Sequence, residues 1–162
     1  MKTVIKFLPI LTAIAIMGFA CKNQVEEPKK ISISAAKVSE CKSSSIDKST
    51  LAKAVADFSP IVTAKTVGSS LQITVVNIVF GCGLEEVLQT INVNGNVIDI
   101  DLQETGEAVR ATNCICEYDV ELLLEGLTFG TTYTINITRG GLAYYSFEVP
   151  FESGTDLSFN VE

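Results

Sequence analysis

The sequence contains no histidine and no tryptophan. Histidine is the side chain most often used as a general base near neutral pH, as the partner of a nucleophilic serine or cysteine, and as a metal ligand. The chain also lacks the glycine-rich loops that cradle phosphates and the Gly-x-Ser-x-Gly turn of serine hydrolases. Several common catalytic designs are therefore excluded. We expect no enzymatic activity, no cofactor and no bound metal ion.

Positive charge is scarce in most of the chain. Of its 162 residues, 12 are Lys or Arg and 19 are Asp or Glu, which gives a formal net charge of −7. From residue 59 onward only Lys65, Arg110 and Arg139 oppose 14 acidic residues. Because such a surface repels a phosphate backbone, nucleic acid is not an expected partner.

The N-terminal segment has the pattern of an export signal. Residues 1–20 combine two early lysines with a largely apolar run and end in small residues directly before Cys21. The run from Phe7 to Ala20 has 14 residues. A bilayer-spanning helix needs about 20 residues, so this length favours the hydrophobic part of a secretory signal peptide.

A cysteine at the first position after such a segment resembles the lipobox of bacterial lipoproteins. The resemblance implies a lipoprotein signal peptide over 1–20 and a lipid on Cys21. The protein would then be exported and anchored to the outer or inner membrane of a bacterial envelope, on its periplasmic or cell-surface side. Simple secretion and a retained anchor are the alternatives. Residues 21–30 are polar, charged and proline-containing, which predicts a flexible tether.

Beyond the tether, short runs rich in β-branched and aromatic residues alternate with turn residues. Asn94-Gly95 is the strongest hairpin signal, and Gly68-Ser69-Ser70 and Arg139-Gly140-Gly141 predict two further turns. Leu51–Phe58 has the composition of a short helix that Pro60 would end. The predicted strands are 31–34, 61–67, 71–80, 88–93, 96–102, 114–125, 131–138, 142–149 and 157–161. Eight or nine short strands predict an antiparallel sandwich or barrel.

The segment between the sixth and seventh of these strands resembles the tyrosine corner of immunoglobulin and fibronectin type III domains. In that motif a Tyr six residues after a Leu hydrogen-bonds to the loop backbone. Leu127 and Tyr133 have this spacing, and Phe129 stands where a proline is often found. The resemblance implies an all-β, immunoglobulin-like sandwich that forms a single domain over 31–162.

Most of the chain after Cys21 is similar to small cell-envelope lipoproteins of the Bacteroidetes type. The segments that carry the similarity are Ser39–Lys42, Asn77–Cys82, Asn113–Glu121 and Gly126-Leu127, in that order. The chain departs from the pattern at Gly81-Cys82-Gly83, where paired cysteines are expected. The similarity implies a fold and a cellular location, but no established activity.

Four cysteines follow Cys21, namely Cys41, Cys82, Cys114 and Cys116. In an exported chain an even number predicts disulfides, here two bridges with three possible pairings. A bridge between Cys114 and Cys116 would be strained on one extended strand. We therefore expect Cys82 to pair with one of these two and Cys41 with the other. Reduced core thiols and a metal or redox centre are the alternatives, although zinc sites usually show two short cysteine pairs.

Acidic side chains recur at every second position in two predicted strands, which places them on one face of each strand. These are Asp99 and Asp101 in one strand, and Glu117, Asp119 and Glu121 in the other. Paired carboxylates can bind Ca²⁺ or hydrolyse glycosidic bonds. Alternating acids are more often a solvated face or a protected edge.

These observations favour a non-catalytic binding or interaction module over an enzyme. Its expected partners are the membrane, through the lipid on Cys21, and a protein or a glycan. Tyr144 and Tyr145 lie near a predicted turn, where an outward-facing tyrosine could contact that partner. A glycan hydrolase that uses the acidic face and a cysteine-based metal or redox protein are the alternative functions.

Overall fold

A computed structural model describes residues 30–42, 46–47, 60–106 and 114–161 of the chain. The signal segment, Cys21 and the predicted helix Leu51–Phe58 lie outside these described residues. Within them, no helix is long and apolar enough to cross a membrane.

Ten β-strands make up the described part of the chain, and nine of them have five residues or more. They are β1 (Ser32–Val38), β2 (Ile46–Asp47), β3 (Ile61–Val67), β4 (Ser70–Gly81), β5 (Glu86–Asn94), β6 (Val97–Thr105), β7 (Cys114–Glu125), β8 (Thr131–Arg139), β9 (Leu142–Phe151) and β10 (Asp156–Asn160). All nine predicted strands are present, and the first is longer than the predicted Ile31–Ser34 and begins one residue later.

The strands form two sheets that pack face to face as a sandwich. Sheet A has the order β1-β7-β4-β3-β10. The short strand β2 pairs with the first two residues of β7, and β1 pairs with β7 from Val120 onward. Sheet B has the order β5-β6-β8-β9. The free edges are therefore β1 and β10 in sheet A, and β5 and β9 in sheet B. The prediction of an all-β sandwich is confirmed at this level.

One strand pair corrects the prediction of a wholly antiparallel sandwich. β6 and β8 are parallel neighbours, with Val97 opposite Thr134 and Leu102 opposite Arg139. Between them the chain crosses to sheet A, runs back along β7 and returns to sheet B in the original direction. A parallel pair needs a crossover connection of about a dozen residues, and β7 supplies one.

Alternation along the strands builds the core between the sheets. In β7, Cys116 and Tyr118 point inward and are 1% and 5% exposed, whereas Glu117 and Asp119 lie on the outer face. Glu117 and Asp119 thus share one face, as their spacing in the sequence predicts. The largest fully buried side chains are Phe80, Phe151, Leu71, Ile73, Ile78, Ile98, Ile100, Leu102, Leu122, Leu124, Ile135 and Ile137. Each side chain of this size stabilises the fold by about 1.5–3 kcal/mol when it is removed from water.

A β-bulge changes the phase of β4 at its midpoint. The register with β7 shifts between Val75 and Ile78, so both of these side chains point inward although they are three residues apart. Asn77 lies in the bulge with a φ of 60°, a left-handed conformation that asparagine tolerates better than most residues. The bulge therefore keeps Phe80 in the core.

The turn predicted at Asn94-Gly95 is displaced by one residue. Asn94 pairs with Val97, so the two-residue loop is Gly95-Asn96. Gly95 has a φ of 59°, whereas Asn96 is not in the left-handed region. This is the pattern of a type II′ turn, which places glycine at the first central position rather than the second.

The connection from β7 to β8 crosses between the sheets through residues 126–130. The Tyr133 hydroxyl accepts a hydrogen bond from the Thr128 backbone N–H at 2.9 Å, and the Tyr133 side chain is 3% exposed. Leu127 packs against the core beside it. This is the hydrogen bond that a tyrosine corner requires.

The two ends of the sandwich differ. The entry end carries Lys30, where the described chain begins, together with the turns at 68–69, 95–96 and 126–130. A Cβ on Gly126 would lie 2.6 Å from the Lys30 carbonyl oxygen, and the φ of Gly126 is +85°. Only glycine therefore lets β1 begin so close to this connection. The opposite end, which we call the disulfide end, carries the turn at 82–85 and the hairpin at 140–141.

Replacement of Tyr133 by Phe is expected to lower the free energy of unfolding by about 1–2 kcal/mol, because the Thr128 N–H loses its acceptor. Urea denaturation measures the change. Tyr145→Phe is the matched control, since the Tyr145 ring packs on Phe147 and Phe159 but its hydroxyl makes no hydrogen bond to described residues. Equal destabilisation by both substitutions would contradict a specific role for the Tyr133 hydroxyl.

Candidate functional site at the disulfide end

Two disulfides link β7 to the chain on either side of it. Cys41, just beyond β1, is bonded to Cys116, and Cys82, just beyond β4, is bonded to Cys114. The Cα–Cα distance is 5.6 Å in both pairs, which is usual for disulfides. This pairing is one of the two that the sequence leaves open, and it avoids the strained bridge between Cys114 and Cys116. It leaves none of these four sulfurs as a thiolate that could ligate a metal.

Strand β1 is held to β7 beyond its last residue by backbone and side-chain contacts. The Ser39 N–H donates to the Asp119 carbonyl at 2.9 Å, and the Ser39 hydroxyl accepts from the Asp119 N–H at 2.9 Å. The Lys42 ammonium forms an ion pair with the Asp119 carboxylate and donates to the Asn77 amide oxygen at 3.2 Å. The same carboxylate accepts from the Asn77 N–H at 3.1 Å, so it ties the bulge to this segment.

A cleft of about 630 Å³ lies between β1 and β5, one free edge of each sheet, and we call it the edge cleft. Cys41 and Cys82 both line it, as does Tyr118 between them. Burial, with the nearby Glu104 carboxylate, raises the pKa of Tyr118, so its hydroxyl stays protonated at neutral pH. Three glutamates also line this cleft, which are Glu40, Glu85 and Glu86. The edge cleft is therefore acidic.

A second cleft of about 460 Å³ lies beside the β8–β9 hairpin, and we call it the arginine cleft. Arg139, the last residue of β8, lies half-buried with its guanidinium carbon 5.4 Å from the centre of the Phe80 ring. Among the described residues, no hydrogen bond or ion pair engages the Arg139 side chain. The other lining residues are Leu102, Glu104, Gly140, Leu142, Ala143 and Tyr144.

Tyr144 reaches the arginine cleft because of a second irregularity in strand pairing. Ile137 pairs with Tyr145 and Thr138 with Ala143, so Tyr144 is the extra residue of a bulge. Bulges commonly redirect a side chain in this way. Burial raises the pKa of Tyr144, and the charge of Arg139 opposes this shift. Its hydroxyl is thus protonated at neutral pH and can donate a hydrogen bond.

The Gly140-Gly141 turn is fixed from β6. Both glycines have positive φ, 56° and 78°, as a type I′ turn requires. The Gly140 N–H donates to the Leu102 carbonyl at 3.0 Å, and the Gly141 N–H donates to the Asp101 carboxylate at 2.9 Å. Asp101 therefore holds the hairpin that carries Arg139 and Leu142.

The acidic faces singled out in the sequence are engaged by neighbouring groups rather than directed at a cleft. Asp99 accepts from the Asn136 amide at 2.8 Å, and Asp101 accepts from the Thr138 hydroxyl at 2.6 Å and the Gln103 amide at 2.7 Å. On sheet A, Glu121 forms an ion pair with Lys37, and Asp119 contacts Lys42 as described above. No group of three or more potential metal-ligating side chains occurs among the described residues. These contacts make the carboxylates structural ties of the outer faces.

Sequence reasoning singled out Tyr144 but missed Arg139 and Glu104 as residues that line the arginine cleft. Arg139 appears in the sequence only as a turn-flanking residue, and Glu104 carries no motif. The one sequence signal for Arg139 is its rarity, since it is one of three cations after residue 59. Of the two tyrosines near the hairpin, Tyr144 lines this cleft and Tyr145 packs against Phe147 and the core.

Replacement of Asp101 by Asn is expected to lower the free energy of unfolding at neutral pH by about 1 kcal/mol, since a charged acceptor becomes neutral. Hydrogen bonds from Thr138, Gly141 and Gln103 hold the pKa of Asp101 below 3.8. A lowered folded-state pKa contributes stability above about pH 4, which is lost as pH falls through that pKa. The difference between the two proteins should therefore shrink on acidification.

Urea denaturation at several pH values measures this difference. Glu148→Gln on the same outer face is the control, because the Glu148 carboxylate makes no hydrogen bond within the described ranges. A difference for Asp101→Asn that does not change with pH would show that the charge of Asp101 is not what holds the hairpin.

No protein-family model matches this chain, and no curated protein or solved structure matches it.

Proposed function

We propose that the protein is a lipid-anchored, non-catalytic binding module of the bacterial cell envelope that presents its disulfide end to a partner. The observation that carries the proposal is the placement of the two clefts relative to the start of the fold. The chain enters at Lys30, beside Gly126, whereas both clefts lie at the opposite end. A lipid on Cys21 would therefore hold the entry end near the membrane and direct the clefts away from it.

Strand lengths set the scale of this separation. β7 has 12 residues and runs from the disulfide end to the entry end. At about 3.3 Å per residue it spans about 40 Å. The tether of residues 22–30 could extend by up to about 30 Å more. The clefts would thus stand clear of lipid headgroups and within reach of a partner in solution or on a neighbouring surface.

The two clefts suit recognition better than chemistry. Volumes of about 630 and 460 Å³ fall in the range of small-molecule and side-chain binding sites, about 300–1,000 Å³. The edge cleft offers carboxylates to a cationic group, and the arginine cleft offers a guanidinium to an anionic one. A glycan hydrolase would need two carboxyls about 5–10 Å apart across a cleft. The alternating acids instead lie on outer faces with partners of their own.

We further propose that the fold is a variant of the immunoglobulin-like sandwich. The Tyr133 hydrogen bond to Thr128 and the packing of Leu127 support this classification. The parallel pairing of β6 with β8 departs from the antiparallel sheets of such domains. The similarity to small Bacteroidetes-type envelope lipoproteins agrees with the proposed location and adds no activity.

Replacement of Cys21 by Ser should release the protein from membranes, because the lipid is attached to the Cys21 thiol. In a Gram-negative host, the native protein should take up an alkyne-labelled fatty acid and sediment with membranes, whereas the Cys21→Ser protein should do neither. Gln24→Ser in the tether is the control and should behave as the native protein does. A native protein without fatty acid would refute the anchor.

Photo-crosslinking in intact cells tests which end meets the partner. A photoreactive amino acid is placed at Leu142, 76% exposed at the disulfide end, or at Val67, 46% exposed at the entry end. Both positions flank two-residue hairpin turns, so they are matched in local structure. We expect a discrete adduct from position 142 and none from position 67. Adducts from position 67 alone, or from neither, would contradict the proposed orientation of binding.

A further inference from the structure

Arg139 is a half-buried cation that has no counterion among the described residues. The described part of sheet B carries no other Lys or Arg, and five of its strand residues, Glu86, Asp99, Asp101, Glu104 and Glu148, are acidic. None of the ion pairs in the described chain includes Arg139, and its contact is the Phe80 ring. Withdrawing a charged group from water without a partner costs free energy, and an anion bound in the cleft would remove that cost.

The Glu104 carboxylate does not fill this role. One of its oxygens accepts a hydrogen bond from the Gly81 N–H at 2.9 Å, which ties the end of β6 to the end of β4. A Cβ on Gly106 would lie 2.6 Å from the Gly83 carbonyl oxygen, so the chain after β6 is held close to the same turn. Glu104 is thus fixed in the wall of the cleft, and no described carboxylate forms an ion pair with the Arg139 guanidinium.

We propose that the arginine cleft binds a carboxylate-bearing ligand, with the carboxylate on Arg139 and the carbon skeleton against Leu142 and Ala143. This inference rests on the proposed binding function and names the ligand chemistry of one of its clefts. The planar guanidinium has a fork of N–H donors that matches a carboxylate. Tyr144, whose hydroxyl is protonated and makes no hydrogen bond within the described chain, is a second donor in the same cleft.

The surroundings favour a carboxylate over a phosphate. Glu104 lines the cleft, and the residues from 59 onward are strongly acidic, so repulsion grows with the charge of the ligand. A singly charged carboxylate is therefore repelled less than a phosphate. The apolar wall adds affinity for a ligand that carries carbon next to its carboxylate, because Leu142 is 76% exposed when nothing covers it.

The site is rigid enough to select its ligand. Gly140 and Gly141 are hydrogen-bonded to Leu102 and Asp101, so the hairpin that carries Arg139 and Leu142 is held against β6. A preformed site avoids the entropic cost of ordering its side chains when ligand binds. A cleft of this size with one charged anchor is expected to bind a small acid with a Kd of the order of 1 mM.

Glycine-selective NMR on the full-length protein in mild detergent tests the proposal. The chain has 11 glycines, of which Gly140 and Gly141 report on the arginine cleft, and Gly68 and Gly95 report on the entry end. The probes are N-acetyl-leucine and its amide, glucuronate and glucose, and inorganic phosphate. We expect the acids to shift the Gly140 and Gly141 resonances and leave those of Gly68 and Gly95 unchanged.

The probes separate the two sources of a carboxylate. A response to N-acetyl-leucine without one to glucuronate assigns the cleft to a peptide carboxylate, and the reverse assigns it to an acidic sugar. Either supports the proposal. Equal shifts from the amide or from glucose, stronger binding of phosphate, or no shift from either acid at tens of millimolar would overturn it.

Variants identify the anchor. Arg139→Gln should weaken binding about tenfold or more, since a charge-assisted pair is lost. Arg139→Lys should retain part of the affinity, because it keeps the charge without the planar fork. Lys65→Gln removes a cation that pairs with Asp156 away from the cleft and should bind as the native protein does. Unchanged binding by Arg139→Gln, with a native spectrum, would refute the assignment.

The test of ligand binding in the arginine cleft can fail independently of the tests of the proposed function. Binding is measured on purified protein, so its failure leaves the lipid anchor and the crosslinks at position 142 standing. Failure of those cell experiments would in turn leave the measured affinity of the cleft unaffected.

Discussion

The covalent attachment of β7 to both of its neighbours is the constraint on which this fold depends. Cys114 and Cys116 lie two residues apart on one strand, and their disulfides leave it in opposite directions, to Cys82 beyond β4 and to Cys41 beyond β1. The sequence separations are 32 and 75 residues. Closing loops of this length disfavours the unfolded chain by about 4 kcal/mol each in the chain-entropy model. The order β1-β7-β4 in sheet A is thereby fixed at one end.

Besides the disulfides, polar side chains link segments that are distant in the sequence. Asp119 on the outer face of β7 holds both Lys42 and the bulge residue Asn77, while Asp101 on β6 holds the β8–β9 hairpin through Gly141. In each case a carboxylate on a sheet face gathers donors from chain segments distant in sequence. The same acids that suggested calcium binding or hydrolysis in the sequence are therefore the ties that shape the disulfide end.

Local patterns in the sequence predicted the strands and their buried faces, because alternation and spacing are properties of short segments. The inward phase of Cys116 and Tyr118 and the corner formed by Leu127 and Tyr133 follow from such spacing. The parallel β6–β8 pair and the position of Arg139 over Phe80 do not, since both depend on which distant strands become neighbours. Even a local prediction can be off by one residue. At Gly95 a shift of one position in strand pairing moves the glycine from the second to the first central position of the turn and so changes the turn type.

The strongest conflict between local chemistry and burial lies at Arg139. Among the buried side-chain polar atoms of the described residues, the Thr66 hydroxyl alone has no hydrogen-bond partner. An unpaired hydroxyl costs little beside a half-buried guanidinium, and Thr66 lines neither cleft. Natural sequences break a local rule mainly where function requires it. Arg139, the one cation in the described part of sheet B, is such a place, since it has no ion pair with the described carboxylates. The Glu104 carboxylate in the same cleft accepts a hydrogen bond from the Gly81 N–H and closes the end of β6, whereas the Arg139 guanidinium is the group we propose to receive an anion from outside.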